Sequence, residues 1–233
     1  MESEEFYDEF VGQQTAVGVN ERHHSILSWL QRFGMRPGDR VLEIGCGVGT
    51  LSGLMSEALG PMGALLSIDL SPKSIQVARA NHRGLVNAEF RAGNALEIDV
   101  QGTFDVVVLP DVLEHIPLDQ HARLFRRISS WLAPNGFVLL HFPNPWYLQW
   151  CHEHRPDLLQ LVDQPIHADV LTANLYPSGL TMSHLETYSI WIVEGDYQVA
   201  VLKHRTAQTS FTYAQHRPSL KTLIKAAIRR LLP

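Results

Sequence analysis

The residues best suited to chemistry are a glycine-rich segment, Gly45-Cys46-Gly47-Val48-Gly49, and an acid twenty residues beyond it, Asp69. The segment follows one apolar run and precedes a helical one, so its glycines permit a tight turn that brings a ligand close to the backbone. Asp69 ends the next apolar run, where a carboxylate accepts hydrogen bonds from both ribose hydroxyls. The alternative for Asp69 is a helix cap. Together the two features predict a nucleoside-containing cofactor.

The spacing of the glycines separates two classes of nucleotide ligand. A dinucleotide fingerprint, G-x-G-x-x-G, requires glycine at the position of Thr50. A nucleoside triphosphate loop requires a lysine followed by serine or threonine, and no such lysine follows the segment. The pattern therefore disfavours a dehydrogenase and excludes a triphosphate loop.

The elements that must position these residues alternate between short apolar runs and helical segments. Such runs are typical of strands buried on both faces of a parallel sheet. A helix is predicted near 20–33, before the first strand, and others at about 50–59, from Ser71-Pro72 onwards, and at 118–132. The five predicted parallel strands lie at 41–44, 64–68, 88–91, 104–109 and 137–142, the last after a turn at 134–136.

The last part of the domain has a different pattern. Two β-rich runs, 187–193 and 197–203, are joined by Glu194-Gly195-Asp196 and predict an antiparallel hairpin at the sheet edge. The predicted fold class is α/β: a Rossmann-like doubly wound sheet, mostly parallel, with a C-terminal antiparallel hairpin.

Three parts of the chain are predicted. Residues 1–35 form an N-terminal helical lid carrying Phe6, Tyr7 and Phe10, and residues 36–205 form the main domain, with a substrate-side insertion at about 143–180. Residues 206–233 form a tail with a basic amphipathic helix. That tail is compatible with peripheral contact to an acidic membrane surface, but docking on the N-terminal helix or on a second subunit is favoured.

The segment Val41-Leu42-Glu43-Ile44-Gly45-Cys46-Gly47-Val48-Gly49-Thr50 closely resembles the first motif of class I S-adenosylmethionine-dependent methyltransferases. The resemblance covers about 110 residues, from Arg40 to Asn144, in the family's order. It includes four further segments: Ser67-Ile68-Asp69-Leu70-Ser71, Ala92-Gly93-Asn94-Ala95, Phe104 to Ile116, and Leu132 to Phe137. It implies this fold, S-adenosyl-L-methionine as cofactor, and a small-molecule methyl acceptor.

The resemblance also implies a set of cofactor contacts. Gly45 and Gly47 would allow close approach of the methionine part, and Glu43 would support its ammonium end. Asp69 would hold the ribose, and Asn94, where many relatives have aspartate, would meet the adenine amino group. The full set of candidate cofactor-binding residues is Glu43, Gly45, Cys46, Gly47, Gly49, Asp69, Leu70, Asn94, Ala95, Pro110 and Asp111.

Two histidines near the predicted strand ends are candidate general bases. His115 follows the fourth strand and His141 lies within the fifth, where a base would remove a proton from a phenol or sugar hydroxyl. The alternatives are a structural hydrogen bond within a turn for His115 and a satisfied buried histidine for His141.

Acceptor selection is predicted in the aromatic segment after the fifth strand. The candidate acceptor contacts are Tyr7, Trp146, Tyr147 and Trp150, although the tryptophans at helical spacing would equally pin the insertion to the core. No metal is expected, because no acid follows the fifth strand and the His152/His154 spacing does not suit zinc.

Composition limits the partners. Nineteen basic and 24 acidic residues give a net charge of −5, so duplex nucleic acid is not an expected partner. With two cysteines, an acidic N-terminus and no run long enough to span a membrane, we expect a cytoplasmic monomer or homodimer. The leading function is transfer of a methyl group to a small molecule, most favourably a hydroxyl of a quinone, sugar or specialised metabolite. The alternatives are a nicotinamide-dependent oxidoreductase and a non-catalytic S-adenosylmethionine-binding module.

Overall fold

The computed structural model describes residues 11, 12 and 14–205. Its strands are β1 (Arg40–Ile44), β2 (Ala64–Asp69), β3 (Ala88–Ala92), β4 (Phe104–Pro110), β5 (Leu132–Pro143), β6 (Leu180–Tyr188) and β7 (Tyr197–His204). Its helices are α1 (Glu21–Phe33), α2 (Thr50–Leu59), α3 (Pro72–Asn81), α4 (Leu118–Trp131), α5 (Pro145–His154) and α6 (Ala168–Leu175). Short 3-10 turns at Leu113–His115, Pro156–Leu158 and Tyr176–Ser178 complete these elements.

The seven strands form one sheet in the order β3-β2-β1-β4-β5-β7-β6. The first five strands are parallel, whereas β7 runs antiparallel to β5 and β6 antiparallel to β7. The predicted α/β class with a C-terminal hairpin is therefore confirmed. Because the parallel strands all end at one edge, the segments that follow β1, β2, β3, β4 and β5 meet there.

Apolar side chains cover both faces of the sheet, which explains the continuous apolar runs. On β1, Leu42 and Ile44 belong to one buried cluster and Val41 to a second one. On β4, Val107 and Leu109 join the first cluster, and the alternate residues join the second. Successive strand residues point to opposite faces, so the central strands are apolar at most positions, with Glu43 and His141 as buried exceptions.

The helix predicted near 20–33 is present as α1. The Asn20 side chain accepts a hydrogen bond from the backbone N–H of Arg22 at 3.1 Å, and this cap starts the helix. Ile26, Trp29 and Leu30 are buried at helical spacing. The cap directs the first turn of α1, with Arg22, toward the carboxyl edge of the sheet.

The predicted first strand of the hairpin was wrong in position. The strand β6 covers Leu180–Tyr188, and residues 189–196 form a loop in which the Asp196 carboxylate accepts from the backbone N–H groups of Ile190 and Trp191 at 2.7 and 3.1 Å. These bonds hold the β-branched run 189–193 out of the ladder. The edge strand β6 was missed because several of its residues are polar. Likewise β5 begins at Leu132, which pairs with Phe104, so the predicted turn at 134–136 lies within an irregular part of β5.

Two predictions lie outside the described residues: the aromatic lid residues Phe6, Tyr7 and Phe10, and the tail 206–233. The three-part division of the chain remains a prediction. Within the residues that the structure does describe, no helix combines the length and the apolar character needed to cross a membrane.

Candidate functional site

The glycine turn after β1 is held against β2 by backbone hydrogen bonds. The N–H groups of Gly45 and Cys46 both donate to the carbonyl of Ile68, at 2.7 and 3.1 Å. Gly45 has φ +82°, and a Cβ atom added there would lie 2.1 Å from Cγ2 of Val112. Both the backbone conformation and the close approach therefore require glycine.

Asp69, at the end of β2, organises this turn. Its Oδ2 atom accepts from the backbone N–H of Gly47 at 2.7 Å, and Oδ1 accepts from the N–H of Ser71 at 2.9 Å. The Ser71 bond resembles the cap-type alternative, because it orders the segment that leads into α3. Asp69 also lines the large cavity at this edge, so the structural bonds and a ligand contact are compatible.

A cavity of about 920 Å³ lies at the carboxyl edge of the parallel strands. This volume is in the range of small-molecule sites. Every candidate cofactor residue except Gly49 lines it, and so does His115. Gly49 instead precedes α2 as its N-cap. The lining candidates are Glu43, Gly45, Cys46, Gly47, Asp69, Leu70, Asn94, Ala95, Pro110, Asp111 and His115.

Glu43 is a buried carboxyl group that lines this cavity with one oxygen unpartnered. Its Oε2 accepts hydrogen bonds from the hydroxyls of Ser52 and Ser67, at 2.5 and 2.7 Å, whereas Oε1 has no hydrogen-bond partner. Burial raises the pKa of Glu43 to about 7. An incoming ammonium group would supply the missing partner and favour the carboxylate.

Asn94 uses its side chain partly within its own turn. Its Oδ1 atom accepts from the backbone N–H of Leu96 at 2.9 Å. A carbonyl oxygen has two lone pairs, so one acceptor position is left for a ligand amino group. Asn94 and Ala95 line the cavity beyond the end of β3, as the resemblance implies.

Asp111, directly after β4, is the centre of a buried charged group. It has φ +54°, which is uncommon for a residue other than glycine. Its Oδ2 is paired with the guanidinium of Arg22, and its Oδ1 lies 2.5 Å from Nδ1 of His141. Burial acts to raise the pKa of Asp111, but His141 and Arg22 outweigh it and lower the pKa to about 2. Asp111 is therefore ionised.

His141 is fully buried and both of its ring nitrogens are engaged. Besides the Asp111 contact, its Nε2 lies 2.7 Å from the hydroxyl of Tyr188. This arrangement favours the alternative of a satisfied buried histidine over direct proton removal from an acceptor, because no ring nitrogen faces the cavity. His141 is not among the cavity-lining residues.

His115 lines the cavity, and its Nδ1 atom contacts the segment after α5. Its Nδ1 lies 2.6 Å from the carbonyl of Val162 and 3.1 Å from Oδ1 of Asp163. Burial acts to lower the pKa of His115, but Glu114 and Asp163 raise it to about 9. At neutral pH the ring is therefore a cation. To act as a general base, His115 would first have to lose this proton.

The aromatic residues of α5 lie away from the cavity. Trp146 is 68% exposed, Trp150 is 46% exposed, and neither they nor Tyr147 line it. Tyr147 and Trp150 instead stack on each other, with ring centroids 6.3 Å apart. The predicted acceptor contacts of these three residues are therefore not brought to the cavity, because α5 turns outward after Asn144.

Several cavity residues were missed at the level of sequence. Gln14, Arg22 and His23 come from the N-terminal part, and Gln160 comes from the loop after α5. Gln14 Oε1 and Arg22 Nε are buried atoms without hydrogen-bond partners. The Asn20 cap before α1 was a visible signal for a helix start, but nothing in the spacing indicated which sheet residue Arg22 would meet.

No group of three or more histidine, cysteine, aspartate or glutamate residues in the described part of the chain is arranged to hold a metal ion.

Comparisons with known proteins point in one direction. A family model described as a methyltransferase domain matches residues 35–186. Curated ubiquinone biosynthesis O-methyltransferases from Leptothrix cholodnii and Bordetella avium are 35% and 36% identical to this chain over 120 and 119 residues. These matches cover 49% and 48% of this chain and 48% and 46% of the relatives, so the chain spans about half the length of the curated relatives it matches.

Solved structures share the fold. A TehB-like SAM-dependent methyltransferase from Corynebacterium glutamicum has a TM-score of 0.61 and 18% identity, and the match covers 87% of this chain and 98% of that one. The N-methyltransferase NodS from Bradyrhizobium japonicum has a TM-score of 0.60 and 21% identity, with 80% and 96% covered. At these identities the likeness concerns the fold alone.

Proposed function

Since this chain belongs to the methyltransferase-domain family, as a class I S-adenosylmethionine-dependent member, we propose that it transfers a methyl group from S-adenosylmethionine to a hydroxyl of a small-molecule acceptor. The observation that carries the proposal is that the glycine turn, Asp69 and the unpartnered oxygen of Glu43 line one cavity. The hydroxyl acceptor is supported by the curated relatives, which are named as O-methyltransferases.

The charges that line the cavity fit the amino-acid end of this cofactor. S-adenosylmethionine carries an ammonium and a carboxylate there. Glu43 offers an oxygen without a partner, and Arg22 offers a buried Nε–H without one. Both residues line the cavity. An acceptor for the ammonium and a donor for the carboxylate are thus present in the same site.

The ribose and adenine ends fit the opposite part of the cavity. Asp69 would accept from the ribose hydroxyls, Leu70 would pack on adenine, and Asn94 would accept from its amino group. Glycine at positions 45 and 47 keeps this turn narrow, because both residues have positive φ and an added Cβ atom would meet the side chain of Val112 or Gln14. Cys46 also lines this part, and burial raises the pKa of its thiol, so it contributes a neutral wall.

The bound cofactor supplies an electrophilic methyl group, and the chain has to align an acceptor oxygen with it and dispose of one proton. Alignment supplies most of the acceleration in such a displacement. We assign the acceptor end to the part of the cavity that His115 and Gln160 line. As a cation, His115 favours the ionised form of an adjacent hydroxyl, which is the better nucleophile. If His115 is the base instead, turnover must rise with pH up to about 9.

Calorimetric titration with S-adenosylhomocysteine, with NADH titrated in parallel, tests the proposal. We expect binding of S-adenosylhomocysteine alone, and Asp69→Ala should weaken it by about 1.5 to 3 kcal/mol because a charged hydrogen-bond acceptor is lost. Asp105→Ala is the matched control, since Asp105 also accepts a backbone N–H, from Arg40 at 2.9 Å, but lies at the other edge of the sheet.

Three outcomes would contradict parts of the proposal. Binding of NADH would assign the glycine turn to the oxidoreductase alternative. Equal losses of affinity in Asp69→Ala and Asp105→Ala would remove the ribose assignment. Binding without turnover on any hydroxyl acceptor of a quinone, sugar or phenol panel would favour the non-catalytic alternative.

A further inference from the structure

Four elements are linked by one continuous set of buried contacts. The chain of contacts begins at Arg22 in the first turn of α1, passes to Asp111 after β4 and to His141 in β5, and ends at Tyr188, the last residue of β6. Asp111 is joined to β5 a second time, because its backbone N–H donates to the carbonyl of His141 at 2.8 Å. Only Arg22 and Asp111 of these four residues line the cavity.

The protons in this set of contacts can be assigned from chemistry. The Asp111 carboxylate is ionised and can only accept, so Nδ1 of His141 donates to it. On the opposite side of the ring, Nε2 of His141 lies within hydrogen-bond distance of the hydroxyl of Tyr188, at 2.7 Å, and a hydroxyl can either donate or accept. Burial raises the pKa of Tyr188 above its ordinary value, so its hydroxyl stays protonated at neutral pH. The Tyr188 contact thus fixes the orientation of the His141 ring, with Nδ1 toward Asp111.

The conformation of Asp111 needs such support. A residue other than glycine at φ +54° is strained, and it persists where the surroundings over-determine it. The two contacts to His141 and the Arg22 pair provide that restraint. The stacked ring of Tyr197, 4.6 Å from the His141 ring between centroids, closes one face of the imidazole.

We propose that His141 and Tyr188 are positioning residues that orient the Asp111 carboxylate, and through it the Arg22 guanidinium, for the charged end of the cofactor. The inference rests on the proposed function, since it assigns a role at the same site. A positioning role is compatible with the complete burial of His141. Direct removal of a proton from the acceptor is not favoured, because His141 does not line the cavity. Its effect should fall on cofactor affinity and on KM for the cofactor, with kcat at saturating cofactor much less affected.

Two substitutions at position 141 separate the contact of His141 with Asp111 from its contact with Tyr188. In His141→Asn the side-chain amide takes the place of Nδ1 and can still donate to Asp111. In His141→Gln the amide extends toward the place of Nε2, so the donor to Asp111 is lost. We expect S-adenosylhomocysteine affinity within about 3-fold of wild type for His141→Asn and at least about 10-fold weaker for His141→Gln.

Two tyrosine substitutions provide a matched pair. Tyr188→Phe removes the hydroxyl that contacts Nε2 of His141 and should weaken S-adenosylhomocysteine binding about 3- to 10-fold. Tyr197→Phe keeps the ring that stacks on His141 and removes only its hydroxyl, so it should weaken binding less than Tyr188→Phe does. Thermal unfolding of all four variants shows whether any change in affinity follows a general loss of stability.

A double-mutant cycle completes the test. Because His141 is proposed to act through Asp111, His141→Gln should weaken binding no further in an Asp111→Asn background. Additive losses in the cycle, or equal affinities for His141→Asn and His141→Gln with a shared fall in Tm, would overturn the positioning role. Failure of the wild-type protein to bind S-adenosylhomocysteine would instead overturn the proposed function, so the two failures are distinguishable.

Discussion

The two halves of the cavity are built in different ways. In the half around β1, β2 and β3, backbone groups and one carboxylate form the site: Asp69 accepts from the backbone N–H of Ser71, two residues away, and of Gly47, 22 residues away. In the half around β4 and β5, charged side chains from distant parts of the chain form it. Arg22 and Asp111 are 89 residues apart in sequence, and His115 and Val162 are 47 apart.

Because of this difference, we expect substitutions in the two halves to destabilise the protein in different ways. A backbone-organised site depends on the space and conformation at individual positions, so a single added methyl group damages it at any pH. A site organised by buried charges depends on protonation, so its stability changes with pH. The three substitutions that follow test this contrast, from the largest expected effect to the smallest.

Gly45→Ala should cause the largest loss, at about 3 kcal/mol of unfolding free energy. The added Cβ would lie 2.1 Å from the Val112 side chain, at φ +82°. Chemical denaturation at two pH values measures it, and the loss should be the same at both. Gly84→Ala is the control, because a Cβ there has no neighbour within 4 Å. Similar losses in the two variants would refute the steric account.

Asp111→Asn should lower the unfolding free energy by about 2 kcal/mol at pH 6. The folded-state pKa of Asp111, about 2, is below its ordinary value of 3.8, so the stabilisation is complete above pH 4 and disappears as the pH falls toward 2. Denaturation curves of wild type and variant between pH 6 and pH 3 should therefore converge on the acid side. A constant difference over this range would show that the charge of Asp111 contributes little.

Asp163→Asn should have the smallest effect, about 1.5 kcal/mol at pH 6, with the opposite pH dependence. The pKa of His115 in the folded protein, about 9, is above its ordinary value of 6.5. The stabilisation is therefore complete below pH 6.5 and is lost as the pH rises through 9. The exposed pair Arg155–Asp157 supplies the control, since Asp157→Asn should cause no measurable change. A difference that grows with pH would contradict the assigned charge of His115.

The same contrast explains which predictions from sequence succeeded. The order of strands and helices was predictable because apolar runs and helical periodicity are local signals. The placement of the glycine turn and Asp69 at the cavity was predictable because both lie at strand ends, and parallel strand ends meet at one edge; their contacts with the cofactor stay a prediction. The hairpin strand was misplaced, since the β-branched run 189–193 carries a strand signal that the Asp196 bonds override.

The sequence by itself therefore determined the fold class and the half of the site that depends on glycine positions and strand ends. Only the tertiary structure decided that Arg22 meets Asp111, that His141 is enclosed between Asp111 and Tyr188, and that Trp146 and Trp150 face outward. The physical reason is the distance along the chain over which each effect acts. Propensity and periodicity act over a few residues, whereas a buried charge is stable only where the packed chain brings it a partner.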